Sequence, residues 1–377
     1  MIESAAGGHD VTDVTPMRAS CKGGAMTSVD PAARPSSWVV VGLDNGGTSN
    51  NGTVLTSAGE FLVDTLVEVP SRVVEGPQIA VEAMVGALES VLAATGTPRA
   101  AVRAVGLDTP GPASADGVIS SRGATNFSTP EWWGFDIRGA LEARLGLPVV
   151  YNNDGNAAAL YAHHEHFGAD SARRSSVSAI VGTGLGGGIV ERGQVVRGAA
   201  GMAGELGHVQ IPMEGLLEPD QPSPMCNCGN AGDVESVASL TGIVKNLLPY
   251  WLSRYPDHDL ASLPIGQAAK AVRGLAAQGD ELALKVFGQQ AMALGRLFTL
   301  AANFTDPHAY FVGGGVVEAD PAFRDWFVDR VVAATTLRVE QQAVAEVALI
   351  PHLDMAGARG AAVAALAVAA RQSADSP

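Results

Sequence analysis

The sequence is poor in cysteine, with three residues in a chain of 377. Cys226 and Cys228 are separated by one residue, a spacing that does not suit a bridge between them, and Cys21 stands alone. A disulfide framework is therefore not expected. Free thiols of this kind indicate a reducing, cytoplasmic environment.

Lysine is also scarce. Its four positions are Lys22, Lys245, Lys270 and Lys285, and none lies in the GxxxxGK[ST] context of a P-loop. The chain carries 39 acidic and 24 basic side chains, a net charge of −15 that repels phosphate backbones and anionic membrane surfaces. We therefore expect no nucleic-acid partner, and any nucleotide must be bound without a P-loop.

Long apolar runs are missing too. No stretch reaches eighteen consecutive apolar residues, and the N-terminus lacks the apolar core of a signal peptide, so no membrane partner is expected. The length and the 47% apolar content nevertheless suffice for two domains with substantial cores. Residues 1–36 are rich in Gly, Ser, Ala and Pro without a sustained period, which predicts a disordered leader.

Two copies of one pattern follow this leader. In residues 38–69 and again in residues 176–198, a buried strand runs into a glycine turn and two further strands. Helical periods at 77–95, 136–146, 235–304 and 356–372 alternate with further strands. The pattern predicts an α/β protein with two lobes around a central cleft. The small lobe is predicted to be 37–152 plus 355–372, and the large lobe 153–354.

Three glycine turns are candidates for phosphate binding, because a residue without Cβ lets backbone N–H groups approach phosphate oxygens. In the first turn, the Asp44 carboxylate can hold Mg²⁺ beside the turn itself. The candidate residues are Asp44, Gly46, Gly47 and Thr48, then Gly182, Thr183, Gly184 and Gly186, and finally Gly313, Gly314 and Gly315. Each turn on its own could equally be an ordinary hairpin or strand-to-helix turn.

The second turn also satisfies the GxGxxG fingerprint of dinucleotide-binding proteins, with Glu205 at the distance of a ribose-binding acid. That fingerprint requires a helix after the glycines. Residues 189–198 instead form a β-rich run without helical period, so a dehydrogenase is not favoured.

Polar residues gather near the predicted cleft. Asn153 and Asp154 end a strand, the position where α/β proteins place their chemistry, although Asp is also a common helix cap. Glu205, His208 and Glu235 supply further acids and an imidazole in the second lobe. Such groups can hold a polyhydroxylated substrate, because each hydroxyl both donates and accepts hydrogen bonds.

Taken together, these motifs resemble the ROK family of sugar kinases and related repressors, over about residues 38–370. The family has the actin-like, ribonuclease-H-like ATPase fold. The matching motifs are Asp44-Asn45-Gly46-Gly47-Thr48, Thr109-Pro110-Gly111-Pro112, Asn153-Asp154, Gly182 to Gly188, Glu205-Leu206-Gly207-His208, Cys226-Asn227-Cys228-Gly229 and Gly313-Gly314-Gly315.

The resemblance implies an ATP-dependent kinase acting on the primary hydroxyl of a hexose, with glucose first in order. Asp154 would be the catalytic base, while Asn153, Glu205, His208 and Glu235 would hold the sugar together with Asp154. ATP and Mg²⁺ are the implied cofactors, and a homo-oligomer, dimer or tetramer, is the implied assembly. The residues after the first turn, from Ser49 to Asn51, depart from the usual pattern and leave polyphosphate open as a donor.

The cysteine pair belongs to a loop that binds structural zinc in many relatives, with the pattern CxCGxxGCxE and the histidine of ExGH as fourth ligand. Here Asp233 replaces the third cysteine. The implied ligands are His208, Cys226, Cys228 and Asp233, a set that tetrahedral Zn²⁺ accepts. An unmetallated loop closed by hydrogen bonds is the alternative.

Other functions remain open at this point. The substrate could be another sugar or a sugar-like cyclitol, such as mannose, an N-acetylhexosamine, fructose or a C7-cyclitol. A sugar-sensing regulator without catalysis is less favoured, because the leader is too short and too rich in glycine for a helix-turn-helix module. The run His163-His164-Glu165-His166 resembles a metal cluster, but we predict a solvated helix face there.

Overall fold

The computed structural model describes residues 19–20, 38–111, 114–120, 126–127 and 129–374. Its strands form two mixed sheets. The strands are β1 Ala19–Ser20, β2 Val39–Asn45, β3 Ser49–Thr56, β4 Val67–Pro70, β5 Val102–Thr109, β6 Val149–Asn153, β7 Ser175–Val181, β8 Leu185–Glu191, β9 Gln194–Val195, β10 Ala309–Gly314 and β11 Glu346–Leu349.

Helices cover both sheets. They are α1 Pro77–Thr95, α2 Ile137–Leu145, α3 Asp154–Phe167, α4 Leu240–Gly242, α5 Leu248–Arg254, α6 Ile265–Ala277, α7 Glu281–Thr305, α8 Pro321–Ala334, α9 Val339–Gln342 and α10 Leu353–Ala374. A π-helical segment, Ile243–Leu247, joins α4 to α5. Short 3₁₀ turns are Val73–Glu75, Arg99–Ala101, Pro130–Trp132, Gly168–Arg173, Leu206–His208 and Asp259–Ser262.

The two sheets share one topology. The first has the order β4-β3-β2-β5-β6, and the second has the order β9-β8-β7-β10-β11 with β1 added at its edge. In the first sheet β2, β3 and β4 form an antiparallel meander, as β7, β8 and β9 do in the second. The next two strands in the chain, β5 and β6 or β10 and β11, run parallel to the first strand of the meander. This repetition confirms the duplicated α/β architecture that the sequence predicts.

The N-terminal strand lies within the predicted disordered leader. Residues 19 and 20 pair in parallel with β11, and the disordered leader stays a prediction. The remainder of residues 1–36 lies outside the described residues. The lobe boundaries at 152/153 and 354/355 stay a prediction.

Helices α3 and α10 lie between the two sheets. Helix α10 packs on β2, β3 and β5 of the first sheet, α3 packs on β7 and β8 of the second, and the two helices pack on each other. Both are rich in alanine, and small side chains let these backbones approach closely. A shared apolar cluster that includes Val40, Ala159, Val190 and Ala365 joins the two lobes.

Glycines set how close α10 comes to its neighbours. A Cβ on Gly42 or Gly106 would overlap the carbonyl oxygen of Ala358 or Ala361 in α10. A Cβ on Gly360 would overlap the carbonyl of Ala157 in α3. The helix therefore rests directly on strand and helix backbone.

Each lobe also has a core of its own. In the first lobe, the buried face of α1 packs with strand residues such as Leu43 and Leu107. In the second, α7 is central and packs with Val177, Tyr310 and Phe327. Helices α1 and α10 are long and apolar enough to span a membrane by length and composition alone, yet both pack against the first sheet as core helices do.

Gly106→Ala should destabilise the fold by about 3 kcal/mol or more, because its new Cβ meets helix backbone that cannot move without shifting α10. Gly86→Ala is the matched control. Gly86 is an exposed residue inside α1 with open space around its Cβ position, so alanine there should stabilise the protein by up to about 1 kcal/mol. Denaturant unfolding measures both. A Gly106→Ala protein as stable as wild type would contradict the packing described for α10.

Candidate active site

The polar residues at the start of α3 are placed by local backbone chemistry. Asn153 caps the helix, its Oδ1 accepting a hydrogen bond from the amide of Asn156 at 2.9 Å. Asp154 is the first helical residue, and its Oδ1 accepts from the amide of Gly155 at 2.8 Å. A Cβ on Gly155 would lie 2.6 Å from the carbonyl oxygen of Gly187. Glycine at 155 therefore lets Asp154, which is exposed, sit beside the second glycine hairpin.

Asp154 is one of several acids in this region. The surrounding protein displaces bulk water and raises its pKa, while the hydrogen bond from Gly155 opposes that rise. Loss of hydration also raises the pKa of Glu205, and the charges of Asp154 and Glu235 add to the effect, with His208 acting against it. The site thus accumulates negative charge around a group that can accept a proton.

The predicted sugar-binding residues come together here. Asn153 Nδ2 donates to Glu205 Oε1 at 3.4 Å, which joins the end of β6 to the segment before the 206–208 turn. Glu235 Oε2 accepts from the amide of Leu185 at 2.9 Å, which ties this carboxylate to the second glycine hairpin. His208 is exposed at the end of the same turn as Glu205.

Two of the three glycine turns adjoin each other. Strands β7 and β10 are parallel neighbours, and Gly314 pairs with Val181 at their ends, so the turn at 182–184 and the turn at 313–315 leave the same sheet edge. Gly314 has φ +96°, a conformation that favours glycine. The carbonyls of Gly182 and Thr183 accept from the amides at the start of α4, at 3.0 and 3.1 Å.

The first glycine turn belongs to the other sheet. It joins β2 to β3, and the amide of Gly46 donates to the carbonyl of Ser49 at 2.9 Å. The carbonyl of Thr48 accepts from the amide of Ser71 at 3.0 Å, and Thr48 itself is exposed. Asp44 is close enough to Asp154 for the two charges to interact, so the lobes place these acids near each other.

Asp108 is a residue that the sequence reasoning missed. Its Cα pairs with that of Asp44 across β2 and β5, and it is fully buried. Burial raises the pKa of Asp44 to about 6, with the charge of Asp154 adding to the rise. Burial raises the pKa of Asp108 well above its usual range, and the charge of Asp44 adds to it. The repeated triplet Gly-Leu-Asp at 42–44 and 106–108 is the signal that could have found it.

Two arginines were also missed. Arg197 Nη2 donates to Asn152 Oδ1 at 2.9 Å and Arg197 Nη1 donates to the carbonyl of Ala115 at 3.2 Å, which connects the segment after β9 to the first lobe. Arg273 on α6 donates to the carbonyl of Gly315, so it lies beside the third glycine turn. Neither arginine lies in a motif of its own.

The predicted metal ligands form a cluster. One donor atom each from His208, Cys226, Cys228 and Asp233 lies within 4.8 Å of every other. His208 Nδ1 is 3.3 Å and Cys228 Sγ is 3.4 Å from Asp233 Oδ2, and Cys226 Sγ is 3.8 Å from His208 Nδ1. Loss of hydration raises the pKa of the Cys226 thiol.

Three of the six donor–donor separations match those around a tetrahedral metal, and all six are within 4.8 Å. Zinc bonds of 2.0–2.3 Å place neighbouring ligands of a tetrahedron about 3.3–3.8 Å apart. Asp233 Oδ1 accepts from the amide of Ser236 at 2.9 Å, which leaves Oδ2 facing the cluster. Two sulfurs, an imidazole and a carboxylate therefore lie close enough together to be candidate ligands of one metal ion.

Comparison with known proteins gives consistent results. The model of the ROK family matches residues 40–368. The glucokinase of Halalkalibacterium halodurans is 34% identical over 284 residues, covering 74% of this chain and 81% of that protein.

Solved structures give the same picture. The ROK hexokinase of Thermus thermophilus superposes with a TM-score of 0.68 at 30% identity, over 88% of this chain and 99% of that one. A ROK glucokinase from Streptomyces griseus, solved in complex with glucose and AMPPNP, gives a TM-score of 0.61 at 28% identity, over 87% and 99% of the two chains. The predicted actin-like fold is confirmed.

The histidines of α3 do not form the solvated face that the sequence predicts. His163 is fully buried, with Nδ1 2.8 Å from Ser176 Oγ and Nε2 2.9 Å from the carbonyl oxygen of Ser171. His166 is largely buried and contacts Glu346 at 2.6 Å. The prediction is wrong because α3 packs against α10 on one side and the second sheet on the other, which leaves little of the helix free.

Burial lowers the pKa of His163 to about 4, so its stabilising effect should depend on pH. The unfolded chain takes up a proton near pH 6.5 that the folded chain does not, and stability present above pH 6.5 is lost as the pH falls towards 4, by up to about 1.4 kcal/mol per pH unit. Denaturant unfolding of wild type and His163→Gln between pH 7 and 4 measures this. The difference between the two proteins should shrink on acidification, and a constant difference would contradict the assignment.

Proposed function

This chain belongs to the ROK family and is an ATP-dependent sugar kinase, and from that premise we propose that it phosphorylates the primary hydroxyl of a hexose, with glucose as the first candidate. The observation that carries the proposal is the position of Asp154. It is exposed at the N-terminus of α3, beside the second glycine hairpin and among Asn153, Glu205 and Glu235.

Asp154 is the proposed catalytic base. The sugar hydroxyl oxygen attacks the γ-phosphorus of ATP, its proton passes to an Asp154 carboxylate oxygen, and the bond between the γ-phosphorus and the bridging oxygen breaks to release ADP. A carboxylate suffices as base because phosphoryl transfer depends mainly on alignment and charge neutralisation. The raised pKa of Asp154 brings it closer to that of an efficient proton acceptor at neutral pH.

The sugar would be held by the groups around this base. Asn153, Glu205, His208 and Glu235 offer amide, carboxylate and imidazole atoms, which can pair with several hydroxyls at once. Asn153 and Glu205 already contact each other, which favours one arrangement of the two side chains beside Asp154 before the sugar arrives. Such preorganisation lowers the entropy lost on binding.

The nucleotide would lie along the glycine turns of both lobes. Gly46, Gly47 and Thr48 would contact phosphates, as would the second turn with Gly182, Thr183, Gly184 and Gly186, and Gly313, Gly314 and Gly315 would border the nucleoside. Bare backbone at these positions suits phosphate and ring contacts. Asp44 would hold Mg²⁺, which neutralises phosphate charge when bound. ATP as the phosphoryl donor and free thiols are both consistent with a cytoplasmic enzyme.

We also propose that His208, Cys226, Cys228 and Asp233 bind a structural Zn²⁺. The metal would fix the imidazole of His208, which neighbours Glu205 in the sugar site. All four ligand positions are supplied by protein, so the ion would have a supporting role.

Asp154→Asn should lower kcat with glucose by roughly 10²- to 10⁴-fold, because an amide cannot accept the proton. The measurement is a coupled ADP-release assay over a panel of glucose, mannose, fructose, N-acetylhexosamines and cyclitols, with ATP and with polyphosphate as donors. Asp170→Asn removes an exposed carboxylate elsewhere and is the control, for which kcat should be unchanged.

The panel decides the substrate as well as the base. Turnover of glucose that survives in Asp154→Asn would remove Asp154 as the base. Preference for an N-acetylhexosamine or a cyclitol would replace glucose while keeping the kinase. Binding of sugar without turnover of any panel member would instead favour a sugar-sensing regulator.

Loss of zinc should loosen the sugar site. Purified wild type should contain about one zinc per chain by elemental analysis, and Cys228→Ser should lose it, because one of the four ligands is gone. The KM for sugar should rise more than kcat falls. Cys21→Ser is the control for the loss of a thiol in itself. Active wild-type protein free of zinc would exclude this metal site.

A further inference from the structure

Asp108 is an unusual buried carboxyl group. Its side chain is fully buried at the end of β5, and neither carboxylate oxygen has a hydrogen-bond partner among the described residues. An unpaired polar group in such a place is costly, and burial of an uncompensated charge costs more. The kinase mechanism described above does not use this group, so it needs a separate explanation.

Strand register places Asp108 in a polar row. Asn51, Asp44, Asp108 and Asn152 pair in turn across β3, β2, β5 and β6. Directly paired residues in a sheet point to the same face, so these four side chains are neighbours. Within the part of the chain that the structure describes, Asn51 Oδ1 and both Asp108 oxygens have no hydrogen-bond partner, which leaves several oxygen acceptors beside Asp44.

The space in front of these oxygens is kept open by a glycine. A Cβ on Gly357 of α10 would lie 2.9 Å from Asp108 Oδ2 and 3.1 Å from Asp44 Oδ2. Both carboxylates therefore face one small gap that any other residue would fill. Asp44 is half-buried, unlike Asp108, so the gap is reached from its side.

We propose that Asp108 is a second protein ligand, with Asp44, for a divalent cation held in the gap beside Gly357. This inference rests on the proposed function, because the cation would be the Mg²⁺ that accompanies the nucleotide. Mg²⁺ takes oxygen ligands, commonly one or two carboxylates with waters and substrate phosphates. Asn51 Oδ1 is available to accept from a water on the cation. The cation would neutralise the negative charge of the two facing carboxylates.

The test measures cation binding directly, without sugar. Mn²⁺ replaces Mg²⁺ and is followed by electron paramagnetic resonance, with nucleotide-free protein and with a non-hydrolysable ATP analogue. Asp108→Asn keeps the shape and removes the charge, and Gly357→Ala fills the gap. Asp325→Asn removes an exposed carboxylate on α8 and is the control. Thermal unfolding without metal checks that each variant is folded.

Asp108→Asn and Gly357→Ala should each weaken Mn²⁺ binding by at least about tenfold in one or both arms, since changes that merely support a metal ligand already cost roughly 10- to 100-fold. Asp325→Asn should bind as wild type does. Without metal, Asp108→Asn should melt at a higher temperature than wild type, because a buried charge is gone, and Mn²⁺ should raise that temperature less.

Equal Mn²⁺ affinity in wild type and Asp108→Asn in both arms would overturn the proposal and leave Asp108 as a protonated structural group. The proposal would also be overturned if wild type bound Mn²⁺ neither without nucleotide nor with the ATP analogue. Failure of the kinase assignment would look different, since Mn²⁺ binding that depends on Asp108 can be observed even if no sugar in the panel is phosphorylated.

Discussion

The position of helix α10 against bare backbone is the constraint on which the site depends. Gly42 and Gly106 let the helix rest on β2 and β5, and Gly360 lets it rest on α3. Because α3 in turn packs on the second sheet, one glycine-lined contact determines how far apart the two sheets lie. The acids at the strand ends and the N-terminus of α3 can then face a common space. A larger side chain at any of these glycines would separate groups that have to act together.

The second general feature is an excess of negative charge without lysine to balance it. Asp44, Asp108, Asp154, Glu205 and Glu235 converge in a protein of net charge −15. Loss of hydration raises the pKa of four of these groups, and repulsion by neighbouring acids adds to the rise in Asp44, Asp108 and Glu205, so the folded chain holds them at a cost in stability. Native proteins tolerate such local costs mainly at functional sites. Apolar packing in the cores of the two lobes offsets this cost in stability, and bound cations would reduce it.

Much of this structure could be predicted from the chain. Helix α1 occupies the residues that its period indicates, and the two strand-turn-strand units fold as their glycine turns suggest. These predictions succeed because they depend on local pattern and on backbone conformations that few residues adopt. Motif spacing also brought Glu205, His208 and the cysteines to one region, although their roles there remain proposals.

What could not be predicted depends on long-range packing. Asp108 becomes a candidate site residue only because it pairs with Asp44 on the neighbouring strand. The sequence of one strand does not reveal how it is aligned with its neighbour. His163 was misjudged because a helix enclosed on two sides has no solvated face, whatever its residues suggest. Arg197 and Arg273 each contact residues more than 40 positions away in the chain, and no local pattern marks either arginine.

Glu235 connects the second glycine hairpin to the cysteine loop. One of its oxygens accepts from the Leu185 amide in the glycine hairpin, and the other accepts from the Cys226 thiol at 3.4 Å. A cysteine that binds a metal as a thiolate has released its proton to solvent and no longer donates a hydrogen bond. With the proposed zinc bound to Cys226, this second oxygen would lose its partner and be free to accept a hydrogen bond from a sugar hydroxyl, so the metal would act on the sugar site through Glu235.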